Sequence, residues 1–335
     1  MKDDKELSNL YEEDALEPDL PICDPHHHLW DRPGTKYMLE ELYQDIGKGH
    51  KIVQTVFVEC CSGYRNYGPD EMKPLGETEF VRDLALLSAG GKYGETKVAA
   101  GIVGHADLRL GSDVASVLEA HLAAGQGLFR GIRHSVAWSP QISGYMNSPQ
   151  GLLLDSKFQE GFACLKKYDL SFDAWLYHPQ LMELAELAST FPDVPIIIDH
   201  LGGPLFVGPY AARRKEVFEE WKRGTAELAK HENLFMKLGG LGMPNAGFFW
   251  YERPTPPGSA ELAEAMAPFY LWCIEQFGVD RCMFESNFPV DKVSYSYVNM
   301  WNAFKRIVKD FSPREKAALF HDTAVSAYRL AADRE

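Results

Sequence analysis

No stretch of this chain is long and apolar enough for a membrane-spanning helix, which needs about 20 such residues. Positive charge is scarce: 34 lysines and arginines face 48 aspartates and glutamates, a formal net charge of -14. That balance argues against nucleic acid or an anionic membrane as a partner. Cysteine is sparse, six in 335 residues, without the spacing of a small disulfide framework. Cys60 and Cys61 are adjacent, and Cys164, Cys273 and Cys282 lie among apolar residues, so most of the thiols read as buried and reduced. Residues 1–18 are acidic and polar, with no apolar core like that of a secretory leader. They read as a flexible or surface-laid arm, and the cytoplasm is the expected compartment. There is no internal repeat, no low-complexity linker and no Gly-x-Gly-x-x-Gly after the first apolar run. The last absence argues against a doubly wound dinucleotide-binding sheet.

What the chain does have is alternation. Apolar, β-branched runs at Leu20–Asp24, Ile52–Glu59, Lys97–Val103, Phe129–His134, Leu170–Leu176, Val194–His200, Leu234–Leu238 and Arg281–Glu285 read as strands. Stretches with three-to-four apolar spacing, at Glu77–Ala89, Val114–Ala124, Phe158–Lys167, Pro179–Thr190, Lys215–Lys230 and Ala260–Phe277, read as helices between most of them. Eight strands alternating with helices predict a (β/α)8 TIM barrel, a single domain over residues 19–335. Continuous apolar strands fit a parallel sheet covered on both faces. Two insertions interrupt the spacing, at residues 60–76 and 239–258. Long connections of this kind serve as lids or pack at a rim or an oligomer interface, and the sequence does not choose between these.

Catalytic groups in such a barrel stand at the carboxyl ends of the strands. The first strand runs into Asp24-Pro25-His26-His27-His28-Leu29-Trp30. Alternation along a strand puts His26 and His28 on one face and turns His27 away, so two imidazoles can share a metal ion. The bland reading is a histidine-rich surface turn. Later ends supply Glu59, His105, Arg133, His134, His178, Asp199, His200, Glu285 and Asn287, and the seventh strand offers Lys237. Each has an ordinary explanation alone: a structural histidine, a wall ion pair at Arg133, a solvated Lys237. Together, seven of the eleven histidines fall at or just past strand ends on the working face.

These motifs carry a resemblance. Asp24-Pro25-His26-His27-His28-Leu29-Trp30, Gly131-Ile132-Arg133-His134, Ile198-Asp199-His200-Leu201-Gly202 and Met283-Phe284-Glu285-Ser286-Asn287-Phe288-Pro289 are similar to the amidohydrolase superfamily. More narrowly, they resemble its amidohydrolase-related family of TIM-barrel lactonases, hydrolases and decarboxylases. The resemblance runs from about Pro21 to Arg329 and implies the barrel and, in many members, bound metal. It implies His26 and His28 on a first metal, with His178 and His200 as the ligands of the fifth and sixth strands.

Three departures shape the functional expectation. The family's last strand ends in an aspartate that takes a proton from the attacking water, and here Asn287 stands there; an amide cannot accept that proton near neutral pH. Family lactonases carry an uncharged residue at the end of the second strand, and here it is Glu59, a carboxylate able to bridge two metal ions. His105 and His178 add imidazoles. The expected site is dinuclear: His26, His28, His178 and His200, with Glu59 bridging and Asn287 a further ligand. Iron or manganese suits this donor set, or zinc in a hydrolase. The favoured expectation is an O2-dependent monooxygenase of a small organic substrate, similar to a small dinuclear oxygenase branch of the family, with O2 and an electron donor as partners. The alternative is a metal-dependent hydrolase of a lactone, ester or amide, with Glu285, His134 or Asp291 replacing the missing base. A barrel without catalysis, acting as a partner subunit, is a third reading that the retained histidines oppose. Arg133, His105, Tyr64 and Trp250 are the candidate substrate contacts. A homo-oligomer or pairing with a related subunit is compatible with all of these.

Overall fold

The computed structural model describes residues 13–142 and 148–331. Eight strands, β1 (Pro21–His27), β2 (Lys51–Val58), β3 (Lys97–Gly104), β4 (Phe129–Arg133), β5 (Ser171–Ala174), β6 (Ile196–Ile198), β7 (Leu234–Leu238) and β8 (Cys282–Phe284), lie side by side in chain order. Every ladder along this sheet is parallel. The stretch just past β8 closes the ring on β1: Asn287 N donates to the His26 carbonyl at 2.9 Å, and His28 N to the Phe288 carbonyl at 2.8 Å. Helices Leu75–Ala89, Val114–Gly125, Ser156–Lys167, Leu181–Thr190, Arg214–Leu228 and Ser259–Phe277 cover the outside. This is the expected (β/α)8 barrel, and every strand boundary falls within three residues of the one read from sequence.

Two further helices lie outside those read from the sequence, although apolar residues recur at helical spacing in both. Leu39–Ile46 is a short helix behind a two-stranded hairpin, Trp30–Arg32 with Thr35–Tyr37, and is only eight residues long. Tyr297–Ile307 is buried from Tyr297 to Lys305, because its polar side, Asn299, Asn302 and Lys305, is covered as well as its apolar one. It packs on helix Ser259–Phe277 and is overlaid by residues 13–17. Leu16 N donates to Asn302 Oδ1 at 2.7 Å, and Lys305 Nζ donates to the Leu16 and Glu17 carbonyls at 2.8 and 2.9 Å. That end of the acidic segment is therefore laid on the barrel; residues 1–12 lie outside the described part. No helix among the described residues is long and apolar enough to cross a membrane.

Inside the barrel, Cys23, Val56, Val103, Ile197 and Met283 form an apolar layer, plugged from below by Ala324, Ala327, Tyr328 and Leu330. Gly131 lets β4 and β5 approach, since a Cβ there would lie 2.2 Å from Ser171 Oγ. Buried polar side chains, His26, Asp173, Asp199, Lys237 and Glu285 among them, accompany this apolar layer.

Asp24 ties the closing edge together. Its Oδ1 accepts from Ser286 N at 3.0 Å and His26 N at 3.3 Å, and its Oδ2 from Tyr297 OH at 2.9 Å, all in full burial. Asp24→Ala strands these donors, and each buried donor without a partner costs about 1–3 kcal/mol. Urea denaturation of that variant is expected to show a loss of at least about 3 kcal/mol, with the slope against denaturant unchanged.

Candidate active site

β1 delivers its two imidazoles as alternation requires. His26 and His28 face each other, with their Nε2 atoms 3.3 Å apart. His27 turns away, its Nε2 within 2.8 Å of Thr55 Oγ1. His28 Nδ1 donates to the Val58 carbonyl at 2.7 Å, which leaves its Nε2 a lone pair. His26 Nδ1 stands 2.8 Å from Glu285 Oε2. Two nitrogens bound at about 2.0–2.1 Å to one tetrahedral ion stand about 3.3 Å apart, so the pair is spaced for a shared cation. Burial, then the charge of Lys237, holds His26 below the usual imidazole range, and burial with the charges of His26 and Arg133 holds His28 well below it, which favours the neutral form that binds metal.

His200 completes the group from β6. Its ring lies 4.5 Å from that of His26, and its Nδ1 is 2.6 Å from Glu285 Oε1. The chain reaches this position through a left-handed run: His200 at φ 52°, Leu201 at φ 61°, then Gly202 and Gly203. Such conformations are costly outside glycine and are sustained where the surroundings over-determine them. Gly240 leaves the room this ring needs, because a Cβ there would sit 2.5 Å from His200 Cγ. His26, His200 and Glu285 are the one trio among the described residues with ligand atoms within 4.8 Å of one another. Burial opposes the charge of Glu285, but the His200 and His26 rings outweigh it and hold the carboxyl down at about 2.

A buried ionic network lies behind the histidines. Arg133 donates to Glu59 Oε1 at 2.8 Å through Nε and to Asp199 Oδ2 at 3.1 Å through Nη1. Lys237 Nζ donates to Asp173 Oδ2 at 2.7 Å and Asp199 Oδ1 at 3.0 Å, and lies 3.2 Å from His26 Nδ1. Lys237, read from sequence as either solvated or part of the site, is fully buried here.

A cavity of about 510 Å³ opens over this group, lined by His28, Glu59, Arg133, His200 and Asn287 together with aromatic and aliphatic side chains. Glu59 and Arg133 thus belong to it, but the bridging position expected for Glu59 is taken by its ion pair with Arg133. Asn287, at φ 55°, donates through Nδ2 to Asp291 Oδ1 at 2.9 Å. Other expected residues lie elsewhere. His178, expected as a ligand, accepts from Leu205 N at 3.2 Å, packs on Tyr210 and is not among the lining residues. His105 bonds the Arg133 carbonyl at 3.0 Å and stands beside His134, which accepts from Leu108 N at 3.2 Å. Both are outside the lining, as are Tyr64 and Trp250; Trp250 stacks on Phe248 at 4.4 Å. Glu285 and Asp291 are fully buried behind the wall, so neither offers a carboxylate to the cavity. The residues missed in the sequence include Trp30 and Trp175, which stand just past the ends of β1 and β5, where the rule that found the histidines would have found them.

The amidohydrolase family profile matches residues 23–330. The chain belongs to that family. The protein y4mH of Sinorhizobium fredii, uncharacterised, is 35% identical over 335 residues, covering 93% of this chain and 99% of its own length. An L-fucono-1,5-lactonase of Burkholderia ambifaria is 25% identical over 284 residues, covering 80% of this chain and 87% of that enzyme. Among solved structures, an amidohydrolase from Burkholderia multivorans with bound zinc superposes with a TM-score of 0.71 at 22% identity, covering 92% of this chain and 99% of that one. A 5-carboxyvanillate decarboxylase from Novosphingobium aromaticivorans, complexed with manganese, gives a TM-score of 0.58 at 12% identity, covering 94% and 97%. The structural likenesses establish the fold. The activities named among these relatives and neighbours are lactonase, hydrolase and decarboxylase, and they overturn the expected monooxygenase. The physical reason is that the oxygenase reading rested on Glu59 as a bridge between two redox metals, whereas Glu59 is neutralised by a guanidinium.

The loop that carries Glu59 is held from below by Glu77, whose Oε1 accepts from Cys60 N at 2.9 Å and Ser62 N at 2.7 Å. Burial, then the charge of Glu59, pushes Glu77 up to about 8. A carboxyl raised on folding binds a proton in the native state that the unfolded chain has released. Its contribution to stability therefore falls as pH rises from about 4.5 to about 8. Glu77→Gln keeps the accepting oxygen and removes this titration. In thermal melts at pH 5, 6.5 and 8, the Tm of the variant relative to wild type is expected to increase with pH.

Proposed function

We propose that this protein is a metal-dependent hydrolase that opens a lactone or ester, with Glu59 taking the proton of the attacking water. The observation that carries the reading is Glu59 Oε2. It is the free oxygen of the one carboxylate in the described cavity lining, it is buried, and it has no hydrogen-bond partner. Arg133 holds the other oxygen, and the same guanidinium reaches within 3.4 Å of His26 Nε2, so base and imidazoles share one anchor.

We read the donor set as one for a single divalent ion centred on His26, whose Nε2 is 3.3 Å from that of His28 and whose ring is 4.5 Å from that of His200. His26, His28 and His200 would hold it, with Nδ1 of each engaged by a carboxylate or carbonyl, the outer-shell pattern that orients metal-binding histidines. The charge balance supports the same number. Arg133 and Lys237 stand against Glu59, Asp173, Asp199 and Glu285, leaving an excess of two negative charges in a buried network, which is unfavourable without a counter-ion. Zinc and manganese, found in the neighbours, suit imidazole ligation. When bound, such an ion supplies Lewis-acid polarisation of the scissile carbonyl and the water. Glu59 then receives the water's proton and returns it to the leaving oxygen. Arg133 keeps the carboxylate in place. Glu285 fixes the rings of His26 and His200 and exchanges no proton, being held ionised.

The test is a zinc- or manganese-loaded preparation assayed on simple lactones and esters. Removing a general base typically costs about 10²–10⁴-fold, so Glu59→Gln is expected to lose that much kcat while keeping its metal, measured by elemental analysis, and its fold, measured by circular dichroism. Loss of the metal from Glu59→Gln makes Glu59 a ligand and ends the base assignment.

Asn287→Asp separates this route from the usual family one. The new carboxylate would face Asp291, to which Asn287 now donates. Turnover is expected to fall rather than rise, and a gain would move the base to position 287.

A further inference from the structure

We infer that the substrate is an uncharged ester or lactone whose non-reacting part is an apolar aromatic ring, and not a polyhydroxylated sugar lactone; this rests on the hydrolase reading above. Most of the exposed cavity wall is apolar, and Trp30, Trp175, Tyr177, Met243, Phe249 and Tyr251 are its bulk. Flat, rigid aromatic walls receive a flat ring at little entropic cost and gain from its burial. A sugar lactone would instead press hydroxyls against a largely apolar wall, which is unfavourable for each one left unbonded. Among the described lining residues, Glu59 Oε2 and Ser135 Oγ are the buried polar atoms without a partner.

The charge of the substrate follows from the two guanidiniums in the lining. Arg133 is committed to Glu59 and Asp199. Arg32 donates to the Cys60 carbonyl and lies over the Trp30 ring at 4.6 Å. A substrate carboxylate would have to break one of these arrangements and would approach Glu59, so a neutral molecule is favoured.

Phe249 marks where the ring leaves off. It lines the cavity yet is 41% exposed, on a backbone held at φ 54° in the left-handed region. A large apolar side chain kept at a mouth in a disfavoured conformation has a face for a ligand to cover.

The experiment uses the zinc-loaded enzyme and three lactones: 3,4-dihydrocoumarin, δ-valerolactone, which is the same reacting ring without the aryl group, and L-fucono-1,5-lactone. Apolar pockets discriminate by about 10–200-fold for small groups. The kcat/KM for dihydrocoumarin is expected to exceed that for the sugar lactone by about 100-fold. Phe249→Ala is expected to lower it about tenfold, mostly through KM, with δ-valerolactone much less affected. Equal or better use of the sugar lactone, or of a carboxylated dihydrocoumarin, overturns the inference and leaves the hydrolase standing. Chroman, the same bicycle without the carbonyl, separates the two failures by tryptophan fluorescence titration. Chroman bound at micromolar to low millimolar concentration with no lactone hydrolysed keeps the aromatic class and removes the hydrolase. Absence of chroman binding removes the aromatic class.

Discussion

Glu285 reaches both His26 and His200, and the rest of the site depends on that buried carboxylate. It comes from the end of β8 and meets imidazoles from β1 and β6, so it can act only where the barrel has closed. The closure is made by the residues just past it, through backbone bonds of Asn287 and Phe288 to His26 and His28. Fold and site are one construction at this edge: the bonds that join the last strand to the first also set the distance between the histidines. A carboxylate so placed is a poor base, because its neighbours hold it ionised. Its task is to orient rings.

The second constraint is charge in a medium that screens poorly. Buried ionised groups persist when paired and hydrogen-bonded, and removing one partner leaves the other uncompensated. Arg133 is the pivot, spanning Glu59, Asp199 and His26. Replacing it would strand two carboxylates at once. The same pairing answers why Glu59 does not behave as the sequence suggests: a carboxylate that already faces a guanidinium has less to gain from two further cations. It also sets the character of the cavity, since charge is spent within the network and the walls above it are left to aromatic and aliphatic side chains.

The histidines' convergence could be read along the chain because a strand's alternation and a barrel's polarity are local rules. Two imidazoles at i and i+2 must share a face, and residues at the carboxyl ends of parallel strands must gather at one mouth. His26, His28 and His200 obey those rules. His105, His134 and His178 satisfy the same rules on paper and stand apart in space, each bonded to a backbone group. His178 opens a short helical turn and bonds the Leu205 amide, and His105 and His134 pack on each other beside the cavity rather than in it. Position just past a strand does not decide the matter: His200 stands two residues beyond β6 and reaches the site, while His105 and His134 stand one residue beyond β3 and β4 and do not.

What the sequence determined by itself is therefore the periodic part: eight apolar strands, the helices that cover them, the paired histidines on one face, and a net negative charge. Those follow from residue spacing and composition, which act over a few neighbours at a time. Only the tertiary structure decided the chemistry of the carboxylates. Glu59, Glu285 and Asp291 look alike in the chain as acids near strand ends. One lines the cavity with a free oxygen, one is locked between two imidazoles, and one is buried beneath Asn287 and Tyr295. Their roles come from burial and from partners 74 and 85 residues away along the chain, distances over which no spacing rule carries information.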